Sequence, residues 1–132
     1  MRAREELYSA LSKNNIWAHD ASMIVALFSK SDLDCRVMGR DYYLFDTGMA
    51  TAFMILRATE LGLVAHPIAG YNEEKVKEIF GIPEDMKVII LVNIGKHSDK
   101  IKDFLSEAHK KAERTRPERL PLEEIVYIDR FT

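Results

Sequence analysis

The sequence predicts a mixed fold, α/β or α+β, in which a small sheet is sandwiched by helices. Three observations carry that reading. Helical and strand patterns alternate without long gaps along the 132 residues. Two continuous apolar runs have strand length, Met23–Phe28 and the heart of Lys87–Ile94. One stretch, Tyr42–Leu61, has the length and composition of a long apolar helix. The strands are few and the helices bulky.

Taken in order, Arg4–Lys13 reads as a helix, with Leu7, Ala10 and Leu11 at helical spacing and Asn14–Asn15 as its stop. The run Met23–Phe28 is continuous rather than alternating, so a strand covered on both faces is expected. Ser29–Arg40 mixes charges, Ser and Gly39, and reads as a surface loop. Tyr42–Leu61 follows as the longest helix, closed by Gly62. Its Leu, Phe, Met, Ile and Ala residues surround most of the circumference, and a helix apolar nearly all round must be buried nearly all round. A chain this short can hardly enclose a helix about 30 Å long. A second copy of the chain, related by a two-fold axis, is the simplest cover.

Leu63–Gly70 is interrupted by Pro67 and predicts a brief strand or extended turn, away from a central ladder. Asn72 is a predicted N-cap, with Glu73 and Glu74 in the first turn of a helix that runs to Phe80 and stops at Gly81. Lys87–Ile94 is the second buried strand, ended by Gly95. Ser98 is expected to cap a helix through about Ala112, with Ile101, Phe104, Leu105 and Ala108 inward. Residues 109–119 are basic and irregular, and Glu124–Ile128 has the β-branched and aromatic content of a terminal strand. Without repeats or linkers, a single domain over 1–132 is expected.

Composition excludes several classes. Hydrophobic residues are 47% and charged residues 30%, the balance of a globular chain rather than a disordered one. Nineteen Lys and Arg against 21 Asp and Glu leave a net charge of −2, so no broad basic surface for nucleic acid is expected. The apolar runs are too short for a membrane span. No apolar segment follows the charged residues at the N-terminus, so neither a signal peptide nor a membrane partner is expected and the cytoplasm is the default location. A single cysteine, Cys35, excludes an internal disulfide framework.

The common chemical motifs are missing. No Gly-rich dinucleotide fingerprint, phosphate loop or nucleophile elbow is present. His97-x-Asp99 offers two metal ligands without a third, and no metal is expected. Arg36 beside Cys35 would favour its thiolate, although an incidental loop cysteine is the plainer reading. Trp17 fits a packing anchor better than a ligand plate. Lys110, Lys111, Arg114, Arg116 and Arg119 could grip a phosphate or simply oppose a helix dipole. The turn Pro67–Gly70 could bring main-chain donors close to a flat ligand, or be just a connection between strand and helix.

Several segments in this order resemble the nitroreductase family of flavin enzymes. They are Asn15-x-Trp17 before the first strand, Tyr42–Ala50 opening the central helix and Ala58–Leu63 closing it. Pro67–Asn72, Val76–Pro83, a strand ending at Gly95 and the tail Arg116–Val126 complete the series. The resemblance implies an α+β sandwich with a small, mainly antiparallel sheet, paired as an intertwined homodimer with the long apolar helix at its interface. It implies that Ile125–Ile128 join the partner's sheet. It implies FMN at that interface, taking hydride from NAD(P)H and passing it to nitro compounds, quinones or similar small acceptors. On the matching positions, the backbone of Pro67, Ile68, Ala69 and Gly70 would lie along the isoalloxazine ring, with a main-chain donor near the flavin N5. Arg119 and Arg116 would hold the FMN phosphate, and Asn15 and Trp17 would stand near the mouth of the substrate pocket. No side chain is implied as an acid or nucleophile, since the flavin carries the chemistry.

Two departures go with the resemblance. The family pattern usually has a further N-terminal segment, with an Arg-x-Ser-like phosphate motif and an Asn near the ribityl chain, and this sequence begins past it. Ala69 stands where many members carry Glu, and Ala52–Phe53 where polar residues are frequent. Two other readings therefore stand beside the flavin enzyme: a flavin-free homodimer of the same fold, and a small domain binding an anionic ligand through its basic tail.

Overall fold

The structure is a computed structural model that describes residues 2–131. The chain divides into two compact units, Met1–His97 and Ser98–Thr132. No helix among the described residues is long and apolar enough to cross a membrane.

The first unit is built on a three-stranded sheet. Its strands are β1 (Met23–Ser29), β4 (Val64–Ile68) and β5 (Lys87–Gly95), in the order β1-β5-β4, antiparallel throughout. A separate two-residue hairpin, β2 (Arg36–Val37) with β3 (Arg40–Asp41), lies inside the stretch expected as loop. Its tip is Met38–Gly39, both at positive φ (51° and 79°), the backbone a tight two-residue hairpin turn requires.

β5 is the central strand, and Val88, Leu91, Val92 and Ile94 are buried. β1 was expected to be covered on both faces, and within one chain it is not. It is an edge strand, most of its residues are half-buried, and Met23 and Phe28 are exposed. β4 is the other edge, which is where a strand containing Pro67 must sit, since the missing N–H would break a central ladder.

Helix α2 (Tyr43–Glu60) packs against all three strands, and its ends lie one residue inside the predicted ones. Tyr43, Thr51 and Ala58 form its buried side. At 3.6 residues per turn, Phe45, Met49, Phe53 and Leu56 fall on the opposite side, and all four are exposed. One chain thus covers one face of this helix and leaves an apolar stripe on the other.

The second face of the sheet meets α1 (Arg2–Tyr8) and α3 (Glu73–Phe80). The core there joins Leu7 and Ala10 to Ile68, Val76, Val88 and Leu91. α3 follows its sequence signals. Asn72 Oδ1 accepts from Lys75 N at 3.0 Å, and Gly81 closes the helix at φ 65°. The start of α3 is pinned to β5, because the Glu73 carboxylate accepts from Val88 N (3.0 Å) and Tyr71 Oη donates to Val88 O (2.7 Å).

The first helix ends earlier than its pattern predicts. Ser9 Oγ donates to Glu6 O at 2.7 Å, the turn tightens, and residues 10–12 leave the helix to pair with residues 70–72 around a Leu11–Tyr71 bridge. A 3-10 stretch, Lys13–Asp20, follows, broken at Asn15 (φ −107°, ψ 15°).

The second unit departs most from expectation. Its helix is α4 (Glu107–Arg114), capped by Ser106, whose Oγ accepts from His109 N at 3.2 Å. Ser98 does not start a helix. Its Oγ accepts from Lys100 N at 3.3 Å in a local turn, a competing use of a capping side chain. The terminal strand over Glu124–Ile128 is not formed. Leu122–Glu124 is a single 3-10 turn, Val126 N donates back to Leu122 O at 2.7 Å, and Ile125, Val126 and Ile128 are exposed. β-propensity alone makes no strand without a neighbouring ladder and a surface to cover.

Candidate functional site

The site assembles where β4 ends. Ile68 is its anchor, buried under the α1–α3 core, and beyond it the chain turns through Ala69 and Gly70 into the cap of α3. The bridge with residues 10–12 fixes this turn. Ser12 N donates to Gly70 O at 2.9 Å, and Asn72 N donates to Ala10 O at 2.7 Å. Asn15 Nδ2 donates to the same Gly70 carbonyl at 2.9 Å, and Tyr71 N closes a small turn on Ala69 O at 3.2 Å. Gly70 is needed here for space. A Cβ on it would lie 2.6 Å from Ser12 Oγ and 2.7 Å from Asn15 Nδ2.

Trp17, on the same 3-10 stretch as Asn15, meets His66 of β4 edge to face, ring centroids 4.9 Å apart at 84°. It also packs on the core, as its anchor reading requires. The 3-10 stretch that carries Asn15 and Trp17 is braced from α1, where Tyr8 Oη donates to His19 O (2.9 Å) and its ring stacks on His19 at 3.7 Å. Burial, and then the Glu73 carboxylate, push the Tyr71 phenol above its ordinary pKa, so it stays a donor to Val88 O.

The chemical character of the turn is that of a main-chain donor site. Neither Ala69 nor Gly70 N–H has a hydrogen-bond acceptor among the described residues, since both lie beyond the last ladder pair, Ile68 with Leu91. Pro67 and Ala69 are exposed. The turn therefore offers two adjacent N–H groups that have no acceptor among the described residues.

The structure therefore brings together Asn15, Trp17 and Pro67–Gly70, residues separated by some fifty positions in sequence (fifty-five between Asn15 and Gly70). Arg116 and Arg119 belong to the second unit, on the exposed segment after α4. Sequence reasoning missed Ser12, placed inside a predicted helix, and His66. It also passed over Asn93, the polar residue of β5, which pairs with Ile24 and His66 and is only 4% exposed, with neither amide atom hydrogen-bonded among the described residues. A lone Asn in Val-Ile-Ile-Leu-Val-Asn-Ile was the available signal.

The surroundings of Cys35 agree with the plainer reading of it. Arg36 turns to Asp41 at 3.3 Å instead of the thiol. Local desolvation, and then the Asp34 carboxylate, hold the thiol above its ordinary pKa, so it is an incidental loop cysteine. Nearby, Asp46 in the first turn of α2 is also raised, chiefly by a shared hydrogen bond with Asp34, then by desolvation and the Asp34 charge.

Helices on both faces of a small antiparallel sheet define an α+β sandwich, with the main-chain donor turn at the end of an edge strand. More particularly, residues 1–96 match the model of the nitroreductase family, and the chain belongs to that family. An uncharacterized 15.4 kDa protein of Mycolicibacterium smegmatis is 32% identical over 127 residues, covering 95% of this chain and 82% of the relative. Among solved structures, an oxidoreductase containing FMN superposes with a TM-score of 0.80 at 27% identity, over 100% of this chain and 67% of that one. A nitroreductase family protein from Clostridium novyi NT gives 0.68 at 25% identity, over 74% of this chain and 57% of that one. The chain thus spans little more than half the length of that solved relative.

Proposed function

We propose that this chain works as a homodimeric, cytoplasmic FMN-dependent oxidoreductase, accepting hydride from NAD(P)H and delivering it to nitro compounds, quinones or similar small acceptors. One observation carries the reading: the turn that the family resemblance assigns to the isoalloxazine ring is the turn whose Ala69 and Gly70 N–H groups have no acceptor among the described residues. That donor set fits a ring edge rich in acceptor atoms. Membership of the family and the likeness to an FMN-containing oxidoreductase support it further. Bound FMN would supply the hydride chemistry. The chain's own part is to bind and orient: the amides of Ala69 and Gly70 toward the ring, Pro67 and Ile68 along it, Trp17 at the rim. Arg119 and Arg116 are the phosphate ligands of this reading, since Arg presents a fork of donors suited to phosphate.

The exposed stripe on α2 supports the homodimer, because a second copy offers the same stripe across a two-fold axis. The exposed apolar residues Ile125, Val126 and Ile128 and the open edge of β1 are compatible with a terminal segment that adds to the partner's sheet. The test is a visible absorbance spectrum of the purified protein, followed by an FMN titration and an NAD(P)H oxidation assay. A bound-flavin spectrum with NAD(P)H turnover upholds the proposal. A dimer that takes up no flavin at saturating FMN overturns it in favour of a flavin-free dimer.

A further inference from the structure

We propose that Asn15 is a positioning residue rather than a substrate contact: its side-chain amide fixes the Gly70–Tyr71 peptide, whose N–H in turn holds Ala69 O, so that the Gly70 N–H stays presented to a planar acceptor-rich ligand. The inference rests on the flavin reading for the identity of that ligand, and on this chain's own geometry for the rest. A carbonyl oxygen only accepts, so the Asn15 atom facing Gly70 O at 2.9 Å must be the amide nitrogen. That carbonyl has two lone pairs, and Ser12 N takes the other, also at 2.9 Å. One peptide earlier, Ala69 O is held by Tyr71 N at 3.2 Å. In a trans peptide the N–H points away from the C=O, so tying Ala69 O into the turn directs Gly70 N–H out of it.

The contact has no slack. The missing Cβ of Gly70 is what lets the Asn15 amide approach, since a Cβ there would come within 2.7 Å of Nδ2. The backbone of Asn15 is adapted as well, leaving helical geometry at φ −107°, ψ 15° in the midst of a 3-10 stretch. Remove the amide, and Gly70 O keeps only the Ser12 donor. The peptide is then held on one side and can rock, whereas Asn72 keeps its own bond to Ala10 O.

The test uses the full chain with Asn15→Ala and with Asn15→Asp, a near-isosteric change that removes the donor at neutral pH. Backbone 15N relaxation is measured without FMN, with Asn72 as internal reference, and FMN affinity is measured by titration. The Gly70 amide order parameter is expected to fall from the rigid range of about 0.85 toward about 0.6 in both variants, with Asn72 unchanged. FMN affinity is expected to fall about tenfold, equivalent to about 1.4 kcal/mol. A Gly70 amide as rigid as in the parent overturns the proposal, even if the variant melts lower, because Asn15 is then an ordinary structural contact. A loosened Gly70 with unchanged FMN affinity overturns it too. If the parent binds no FMN, the flavin reading fails, and the order parameters alone decide whether Asn15 positions this peptide.

Discussion

Replacing Phe53 by Asp separates the fold of one chain from the pairing of two. Phe53 lies on the side of α2 turned away from the sheet and is 69% exposed in the single chain. It makes no part of the sheet-facing surface, which is Tyr43, Thr51 and Ala58. Within one chain the change is therefore nearly neutral, within about 0.5 kcal/mol for a substitution away from packed features. In a two-fold dimer through this stripe the same residue counts twice. Burying the remaining two-thirds of a Phe side chain contributes roughly 1–2 kcal/mol per copy, which the substitution removes. Each buried unpaired carboxylate adds a desolvation cost of several kcal/mol. The sum is at least about 6 kcal/mol, or about a ten-thousand-fold weaker dimer at 1.4 kcal/mol per tenfold. Light scattering across a concentration series reads the association state, and circular dichroism reads the fold. The expected result is a folded monomer. A dimer of unchanged affinity refutes the placement of the interface on α2, and an unfolded variant refutes the assignment of Phe53 to a face that one chain leaves bare.

Other consequences can be checked directly. Gly70→Ala forces Ser12 Oγ and the Asn15 amide from positions 2.6 and 2.7 Å from the new Cβ. Losing one hydrogen bond and straining a rotamer costs about 1–2 kcal/mol, partly offset by the gain of about 0.4–1 kcal/mol from a stiffer unfolded chain. A thermal midpoint lower by up to about 6 °C is expected, and a higher midpoint contradicts the close approach. Arg119→Ala should weaken FMN binding roughly ten- to a hundredfold, the worth of a charge-assisted bond, without moving the thermal midpoint. Equal FMN affinity in a titration removes the phosphate assignment. Lys30 Nζ bonds Asp85 at 2.6 Å and holds its carboxyl below the ordinary value of 3.8. Stability from this pair is present above that value and lost as pH falls through the lowered one, so Asp85→Asn should flatten the acid limb of urea-denaturation midpoints against pH. Asp46 has the opposite sign. Raised above 3.8 by its hydrogen bond with Asp34, it contributes below that value and loses its contribution as pH rises through the raised one. Asp46→Asn should therefore stabilise at pH 7 and not at pH 3, and a gain that is the same at both pH values refutes the shared proton.

Local chemistry made much of the first unit legible. Asn72, Glu73 and Gly81 bracket α3 because a cap oxygen, an acid at a helix N-terminus and a left-handed closing residue each act within one turn. Pro67 announced an edge strand for an equally local reason. The early end of α1 was not legible, because Ala10–Ser12 leave the helix for a partner some sixty residues away, around the Leu11–Tyr71 bridge (residues 11 and 71). Spacing within a window cannot register a competitor outside it. The same holds for the site. Pro67–Gly70 was visible as a turn, yet its meeting with Asn15 depends on that long-range pairing, and nothing local marked Ser12 as the second donor to Gly70. In the second unit two capping serines competed. Ser106 won with Glu107 at its first turn, while Ser98 spent its oxygen on a local loop.

The remaining disagreements share one physical cause. β1 was expected under cover on both faces, α2 all round, and Ile125–Ile128 in a ladder. In each case the side chains have the predicted apolar character and the single chain withholds the cover: Phe28, Phe53 and Ile128 are all exposed. Hydrophobic patterning reports the total surface that must leave water, not which chain removes it. All three fall on apolar segments, including the edge strand and the longest helix. Burial on the proposed two-fold partner answers all three with one assumption, whereas a self-sufficient monomer needs a separate explanation for each. The strand is the sharpest case. Glu124–Ile128 has the residues for a ladder and no ladder in one chain, so hydrogen exchange of the Val126 and Ile128 amides should slow with protein concentration as copies associate. Exchange independent of concentration would mean that the terminal segment stays outside any sheet, and the common cause would then not extend to the terminus.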